Sequence, residues 1–160
     1  MQNIVLIGFM GCGKSTVGKA LAKDLKRFYI DSDEAIKKVC GKEIAQIFKD
    51  EGEEYFRKME WEFFHSFKGA RNLVISCGGG FLSLDAQIKE LGRVVFLKQD
   101  FYFIKKSLSP QALAKRPLFK GNAKELFDKR APLYEAAADL VFDCKQMAKK
   151  QIAKALLKQL

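Results

Sequence analysis

Gly8-Phe9-Met10-Gly11-Cys12-Gly13-Lys14-Ser15 follows the apolar run Ile4–Ile7 and leads directly into an amphipathic stretch. The octet fits the pattern G-x-x-x-x-G-K-[ST] in the strand–turn–helix setting that gives it physical meaning. Its glycines let main-chain N–H groups curl round a β-phosphate, and the N-terminus of the following helix adds partial positive charge. Lys14 is placed to reach β- and γ-phosphates, and the Ser15 hydroxyl to ligate Mg²⁺. A nucleoside triphosphate is the ligand this stretch predicts.

Outward from that loop, short apolar runs alternate with amphipathic stretches along the whole chain. The runs are Asn3–Gly8, Phe28–Ile30, Leu73–Ser76, Val94–Lys98 and Leu140–Phe142. They lack in/out alternation, as strands buried on both faces do. Helical patterns cover Ser15–Lys26, Ser32–Cys40, Ile44–Lys68 with a break near Glu51-Gly52, Leu84–Leu91, Phe101–Ser107, Ala123–Ala137 and Lys145–Gln159. Such alternation predicts an α/β fold: one P-loop domain over residues 1–160, a three-layer α/β/α arrangement with a five-stranded parallel sheet. Ligands of such sheets bind at the carboxyl ends of the strands. Residues 109–122, with Pro110, Pro117, Gly121 and three basic residues (Lys115, Arg116 and Lys120), break the periodicity and read as a mobile lid.

Composition narrows the function classes. Twenty-nine Lys and Arg against 19 Asp and Glu give a formal charge of +10 over 160 residues, which favours anionic partners without naming one. No apolar run approaches the roughly 18 residues of a membrane span. The run before the octet has no basic residue ahead of it, so a signal peptide is not expected. Cys12, Cys40, Cys77 and Cys144 are widely spaced beside a single histidine, His65, which speaks against zinc or a disulfide scaffold and for a reducing cytoplasm.

Three further segments carry chemistry. Asp31-Ser32-Asp33 ends the second strand; its carboxylates can divide labour, Asp31 toward Mg²⁺ and Asp33 toward a substrate hydroxyl, or one of them can simply cap the next helix. Arg57 has Glu53 four residues before it and Glu60 three after. That is the spacing of a helical ion pair, and equally of a guanidinium held ready for a substrate carboxylate. The strand Leu73–Ser76 runs through Cys77 into Gly78-Gly79-Gly80, an entropically costly triplet whose bare backbone admits a closely approaching ligand. No D-x-x-G or N-K-x-D marks a GTP-dependent switch.

Together these segments resemble the shikimate kinase family, P-loop enzymes of the nucleoside monophosphate kinase type. The match runs in order through the octet, Asp31-Ser32-Asp33, Arg57 with Glu60, Val74-Ile75-Ser76 with Gly78-Gly79-Gly80, Arg116-Pro117-Leu118 and Arg130 with Tyr134. The resemblance implies ATP on Gly11, Cys12, Gly13, Lys14, Ser15, Thr16 and the lid residue Arg116. It implies Mg²⁺ near Ser15 and Asp31, and shikimate on Asp33, Arg57, Gly78, Gly79, Gly80 and Arg130. Asp33, Lys14 and Arg116 would carry the catalysis, a transfer of the ATP γ-phosphate to the shikimate 3-hydroxyl in aromatic amino-acid biosynthesis. A cytoplasmic monomer with no nucleic-acid or membrane partner is expected.

The chain departs from the family pattern in places. Cys12 stands where Ser is frequent, Cys77 where Thr is usual, and Cys144-Lys145-Gln146-Met147 lacks the arginine that family members often place over adenine. The adenine contact is therefore left open, and Lys115 or Lys120 can share phosphate contacts with the lid arginine. Phe48 and Phe56 are candidate walls of the acceptor pocket; His65, among aromatics, is assigned no catalytic part. Two other functions are weighed: a P-loop kinase for gluconate or a nucleoside monophosphate, and a nucleotide-gated protein without turnover that uses its basic surface for nucleic acid. The Arg57–Glu60 and triple-glycine spacing argues against the first, and no recognition motif supports the second.

Overall fold

The central, mostly apolar strands need cover on both faces, and the chain supplies it with helices on either side of a parallel sheet. A computed structural model describes residues 2–114, 119 and 121–160. The strands are β1 (Ile4–Ile7), β2 (Phe28–Asp31), β3 (Leu73–Ser76), β4 (Arg93–Lys98) and β5 (Leu140–Asp143), all parallel in the order β2-β3-β1-β4-β5. Among them run α1 (Lys14–Asp24), α2 (Ser32–Cys40), α3 (Ile44–Phe67), a 3-10 segment (Gly79–Leu91), α4 (Phe101–Ser107), α5 (Pro110–Ala114), α6 (Ala123–Ala137) and α7 (Lys149–Leu157). This is the expected α/β/α fold. The predicted break in α3 falls at Gly52, where φ is 85°.

Three details differ from the sequence expectation, and part of the lid lies outside the described residues. Burial on both faces holds for β1, β3 and most of β4, but β2 and β5 are edge strands, with Phe28 and Val141 exposed. The helical pattern ahead of β4 forms a 3-10 segment that begins at Gly79. The last helix starts at Lys149 and not at Lys145, because Lys145 and Gln146 take left-handed backbone conformations in the turn after β5. Of the lid segment, residues 115–118 and 120 lie outside the described residues, and with them Lys115, Arg116, Pro117, Leu118 and Lys120.

Packing positions the phosphate loop. Helix α1 lies against the sheet and α7, with Val17 and Leu21 fully buried. It can come so close because residue 18 is glycine: a β-carbon there would press into the Tyr29 ring, Leu6 and the Ser76 hydroxyl. Beneath the sheet's other end, the buried Asn3 amide donates to the carbonyls of Ala70 and Leu91, both at 2.8 Å, and its oxygen accepts the Leu73 N–H at 3.0 Å. A smaller apolar cluster of Ile36, Ile47 and Phe56 joins α2 to α3.

Replacing Gly18 with Val overpacks the contact between α1 and the sheet. It should lower stability by about 2 kcal/mol in urea unfolding, and an unchanged midpoint would show that α1 can move away at no cost.

Candidate active site

At the carboxyl end of β1 the chain turns through the glycine octet into α1. Gly13, the residue before α1, has φ 108°, a conformation that favours glycine, and it leaves the first N–H groups of α1 facing outward. The half-buried Lys14 folds over the loop, its Nζ donating to the carbonyls of Gly8 at 2.7 Å and Phe9 at 3.2 Å. Burial works against its charge, but Cys12, Tyr134, Asp33 and Asp31 around it outweigh that and push its pKa above the ordinary lysine value. A permanently charged ammonium is therefore held at the phosphate loop. Thr16 lies exposed in the first turn of α1, and Cys12 is buried, its Sγ packed beside Gly8.

The paired carboxylates of β2 arrive next to this loop. Asp31 caps the next helix with one oxygen and meets two hydroxyls with the other. Its Oδ1 accepts from the N–H groups of Asp33 at 3.1 Å and Glu34 at 3.3 Å, capping α2. Its Oδ2 accepts from the Ser15 hydroxyl at 2.9 Å and the Tyr29 hydroxyl at 3.0 Å. Ser15 and Asp31 thus form a two-residue set of hard oxygen donors beside the phosphate loop. That set suits Mg²⁺, which keeps waters and phosphate oxygens around a few protein ligands. Among the described residues no three His, Cys, Asp or Glu side chains form a cage that would hold a metal by themselves.

Asp33 points the other way, against the triple glycine. A β-carbon on Gly78 would collide with its carboxylate. Burial and the neighbouring Asp31 raise the Asp33 pKa above the usual carboxylate value, while Lys14 pulls it back. On the next residue, Gly79, a β-carbon would collide with the Arg130 guanidinium. The glycines are thus bare because two functional side chains rest on them, a use of the space that the sequence alone did not reveal. Gly80 continues into the 3-10 segment.

A carboxylate and a guanidinium therefore stand over two consecutive backbone positions, about 3.8 Å apart along the chain. Among the described residues no carboxylate pairs with the half-buried Arg130. Arg57 is held differently. It donates to Glu53 at 2.9 Å and to Glu60 at 2.6 Å, and Glu60 is almost wholly enclosed. The ion-pair and the poised-guanidinium descriptions of Arg57 are thus compatible.

Two participants were not singled out as site residues from the sequence. The fully buried Ser32 accepts the Gly78 N–H at 2.9 Å and ties α2 to the triple glycine. Glu60 anchors Arg57 through one oxygen, while its other oxygen, Oε1, is buried with no hydrogen-bond partner among the described residues. Burial raises the Glu60 pKa, against the pull of Arg57. The signal for Glu60 was the Arg57-x-x-Glu60 spacing; Ser32 gave none, because its partner is 46 residues away.

The remaining candidates take lesser places. Phe48 and Phe56 pack with tilted rings, centroids 4.8 Å apart, and Phe56 belongs to the α2–α3 cluster. His65 packs against Trp61, the rings tilted by 49° with centroids 3.8 Å apart. Cys77 is wholly buried, and burial pushes its thiol pKa far up, so it presents a packed, protonated group. On the outer side of the phosphate loop a cavity of about 220 Å³ is lined by Gly11, Cys12, Phe103, Ser107, Met147 and Lys149, among others.

The family model described as shikimate kinase matches residues 10–160. A shikimate kinase of Persephonella marina is 41% identical over 164 residues, covering 98% of this chain and 98% of its own length. The solved structure of a shikimate kinase from Acinetobacter baumannii in complex with shikimate superposes with a TM-score of 0.90 at 32% identity, covering 99% of this chain and 92% of that one. The Aquifex aeolicus enzyme of the same description gives 0.83 at 34% identity, covering 98% and 94%.

The raised pKa of Asp33 has a consequence for stability. A carboxyl whose folded pKa exceeds its unfolded value of about 3.9 binds more protons when folded, so the fold loses stability as pH rises through that interval. Asp33→Asn should therefore raise the urea midpoint at pH 7, and the gain should shrink as pH falls to about 4. A destabilised variant at pH 7 would mean that the carboxylate is paired more strongly than it is desolvated.

Proposed function

The chain belongs to the shikimate kinase family, and on that footing we propose that it transfers the γ-phosphate of ATP to the 3-hydroxyl of shikimate, giving shikimate 3-phosphate and ADP. The observation that carries the reading is the joint placement of Asp33 and the carboxylate-free Arg130 over Gly78 and Gly79, next to a phosphate loop. An acceptor bearing both a hydroxyl and a carboxylate matches that pair of groups. A nucleoside monophosphate accepts on a phosphate oxygen and offers Asp33 no hydroxyl proton to take.

In this reading Arg57 and Arg130 hold the shikimate carboxylate by charge-assisted hydrogen bonds, with Glu60 and Glu53 fixing the fork of Arg57. The backbone of Gly78, Gly79 and Gly80 lines the ring. Asp33 orients the 3-hydroxyl and accepts its proton as the hydroxyl attacks the γ-phosphate in line; its raised pKa makes it a better base than an ordinary carboxylate. Gly11, Cys12, Gly13, Lys14, Ser15 and Thr16 cradle the triphosphate, and Lys14 balances charge that develops on the transferring group. Ser15 and Asp31 would hold Mg²⁺, which supplies charge neutralisation to the phosphates when bound. Arg116, on a lid over residues 109–122, closes on the phosphates and excludes water. The cavity lined by Phe103, Ser107 and Met147 accepts the nucleoside. In this reading the enzyme works as a monomer in the cytoplasm, a reducing setting that suits its four free cysteines.

ADP release from Mg·ATP should depend on shikimate and stay at background with gluconate, nucleoside monophosphates or no acceptor. Turnover with another acceptor and none with shikimate would sink the substrate assignment. Asp33→Ala should lower kcat about a hundredfold or more with ATP affinity nearly intact; equal loss of both would misassign this carboxylate. Arg57→Ala should raise KM for shikimate about tenfold or more, whereas an unchanged KM would leave Arg57 as a surface ion pair.

A further inference from the structure

Among the described residues Tyr134 is the largest wholly buried side chain, 2% exposed, and its hydroxyl has no partner in hydrogen-bond geometry. The ring needs its place: it stacks on Phe96 with centroids 5.2 Å apart and an interplanar angle of 27°. The hydroxyl does not, because a phenylalanine would fill the same space. A buried hydroxyl without a partner lowers stability, so its presence asks for a use.

The surroundings indicate one. Arg130 stands one helical turn earlier on α6 and therefore on the same face as Tyr134. Both side chains converge on Gly79, which a β-carbon would drive into the Arg130 Nη1 and to within 3.3 Å of the Tyr134 oxygen. The groups that act on the phenol are the cations Lys14 and Arg130 and the Cys12 thiol, and Arg130 lies close enough to reach its oxygen. A neutral phenol offers such neighbours an acceptor lone pair.

We propose that Tyr134 is a positioning residue for Arg130: its phenol oxygen accepts an N–H of the guanidinium once the remaining N–H groups engage the acceptor's carboxylate. The unpartnered hydroxyl is a pre-built stop for a long side chain. It lowers the conformational freedom that Arg130 loses on binding, without neutralising the charge that the carboxylate needs. The inference rests on the assignment of Arg130 to that carboxylate.

The test is Tyr134→Phe, which removes one oxygen and keeps the ring. KM for shikimate should rise about tenfold, kcat and KM for ATP should stay within about twofold, and the thermal midpoint should hold or rise. In an Arg130→Gln background the same substitution should leave KM for shikimate nearly unchanged, since the positioned group is gone. A purely structural hydroxyl would give an equal or higher midpoint with no change in KM, and that overturns the proposal. So does a lowered midpoint with both KM values altered, which assigns the hydroxyl to packing. An equal tenfold effect in both backgrounds overturns it as well. Wild-type protein without shikimate-dependent turnover overturns the underlying substrate assignment, and the inference falls with it, whatever the variant does.

Discussion

Parallel pairing of β3 with both β1 and β2 sets Leu6, Ser76 and Asp31 on one rung of the sheet. All three strands end within a residue of that rung. The turn after β1 is the phosphate loop, the turn after β2 is the carboxylate pair, and the turn after β3 is the triple glycine. A slip of one residue in either pairing would turn the side chains of that strand to the opposite face and separate Ser15 from Asp31 and Asp33 from Gly78. The register is held from the far end by Asn3, whose side chain bonds three backbone groups around the start of β3 and β4. It is held from within by Gly18, which lets α1 sit against Leu6 and Tyr29.

Space then becomes the scarce quantity at the site. Asp33 and Arg130 lie on Gly78 and Gly79, and neither glycine has a left-handed backbone, so these two positions need the absence of a side chain rather than an unusual φ. Desolvation is the companion cost. Asp33 and Glu60 are carboxyls whose charged forms burial disfavours, and Glu60 and Tyr134 each keep a buried polar atom without a partner. Neighbouring cations offset part of that cost, Arg57 and Arg130 at Glu60 and Lys14 at Asp33. Elsewhere the charges are ordinary: Lys124 with Asp128 and Lys129 with Glu125 are exposed helical pairs that contribute little to stability. The net charge of +10 therefore describes the surface more than the site.

Most of the fold was legible because its signals are local. Helices α2, α4 and α6 have the boundaries that periodicity predicts, and Gly52 breaks α3 where an Asp50-Glu51-Gly52 stretch interrupts the apolar pattern. The misses have non-local causes. Whether β2 and β5 are edges depends on the sheet order, which no short window contains. The start of α7 moved because Lys145 and Gln146 serve the turn after β5, where the Asp143 carboxylate accepts the Lys145 N–H at 3.0 Å. That competition between side-chain and helical hydrogen bonding is visible only with the strand in place.

The amino-acid sequence by itself determined the strand–loop–helix that binds phosphate, the alternation that makes a parallel sheet, and the residue types that an alcohol-phosphorylating site needs. These follow from neighbours in the chain, through backbone freedom at Gly13 and periodic burial. Only the tertiary structure decided how those residues share their work: that Asp31 caps a helix with one oxygen and meets Ser15 with the other, that Ser32 receives the Gly78 N–H, and that Arg130 and Tyr134 meet over Gly79. Such contacts join residues tens of positions apart. Their geometry is set by strand register and by how closely helices approach the sheet, quantities that exist only once the chain has packed.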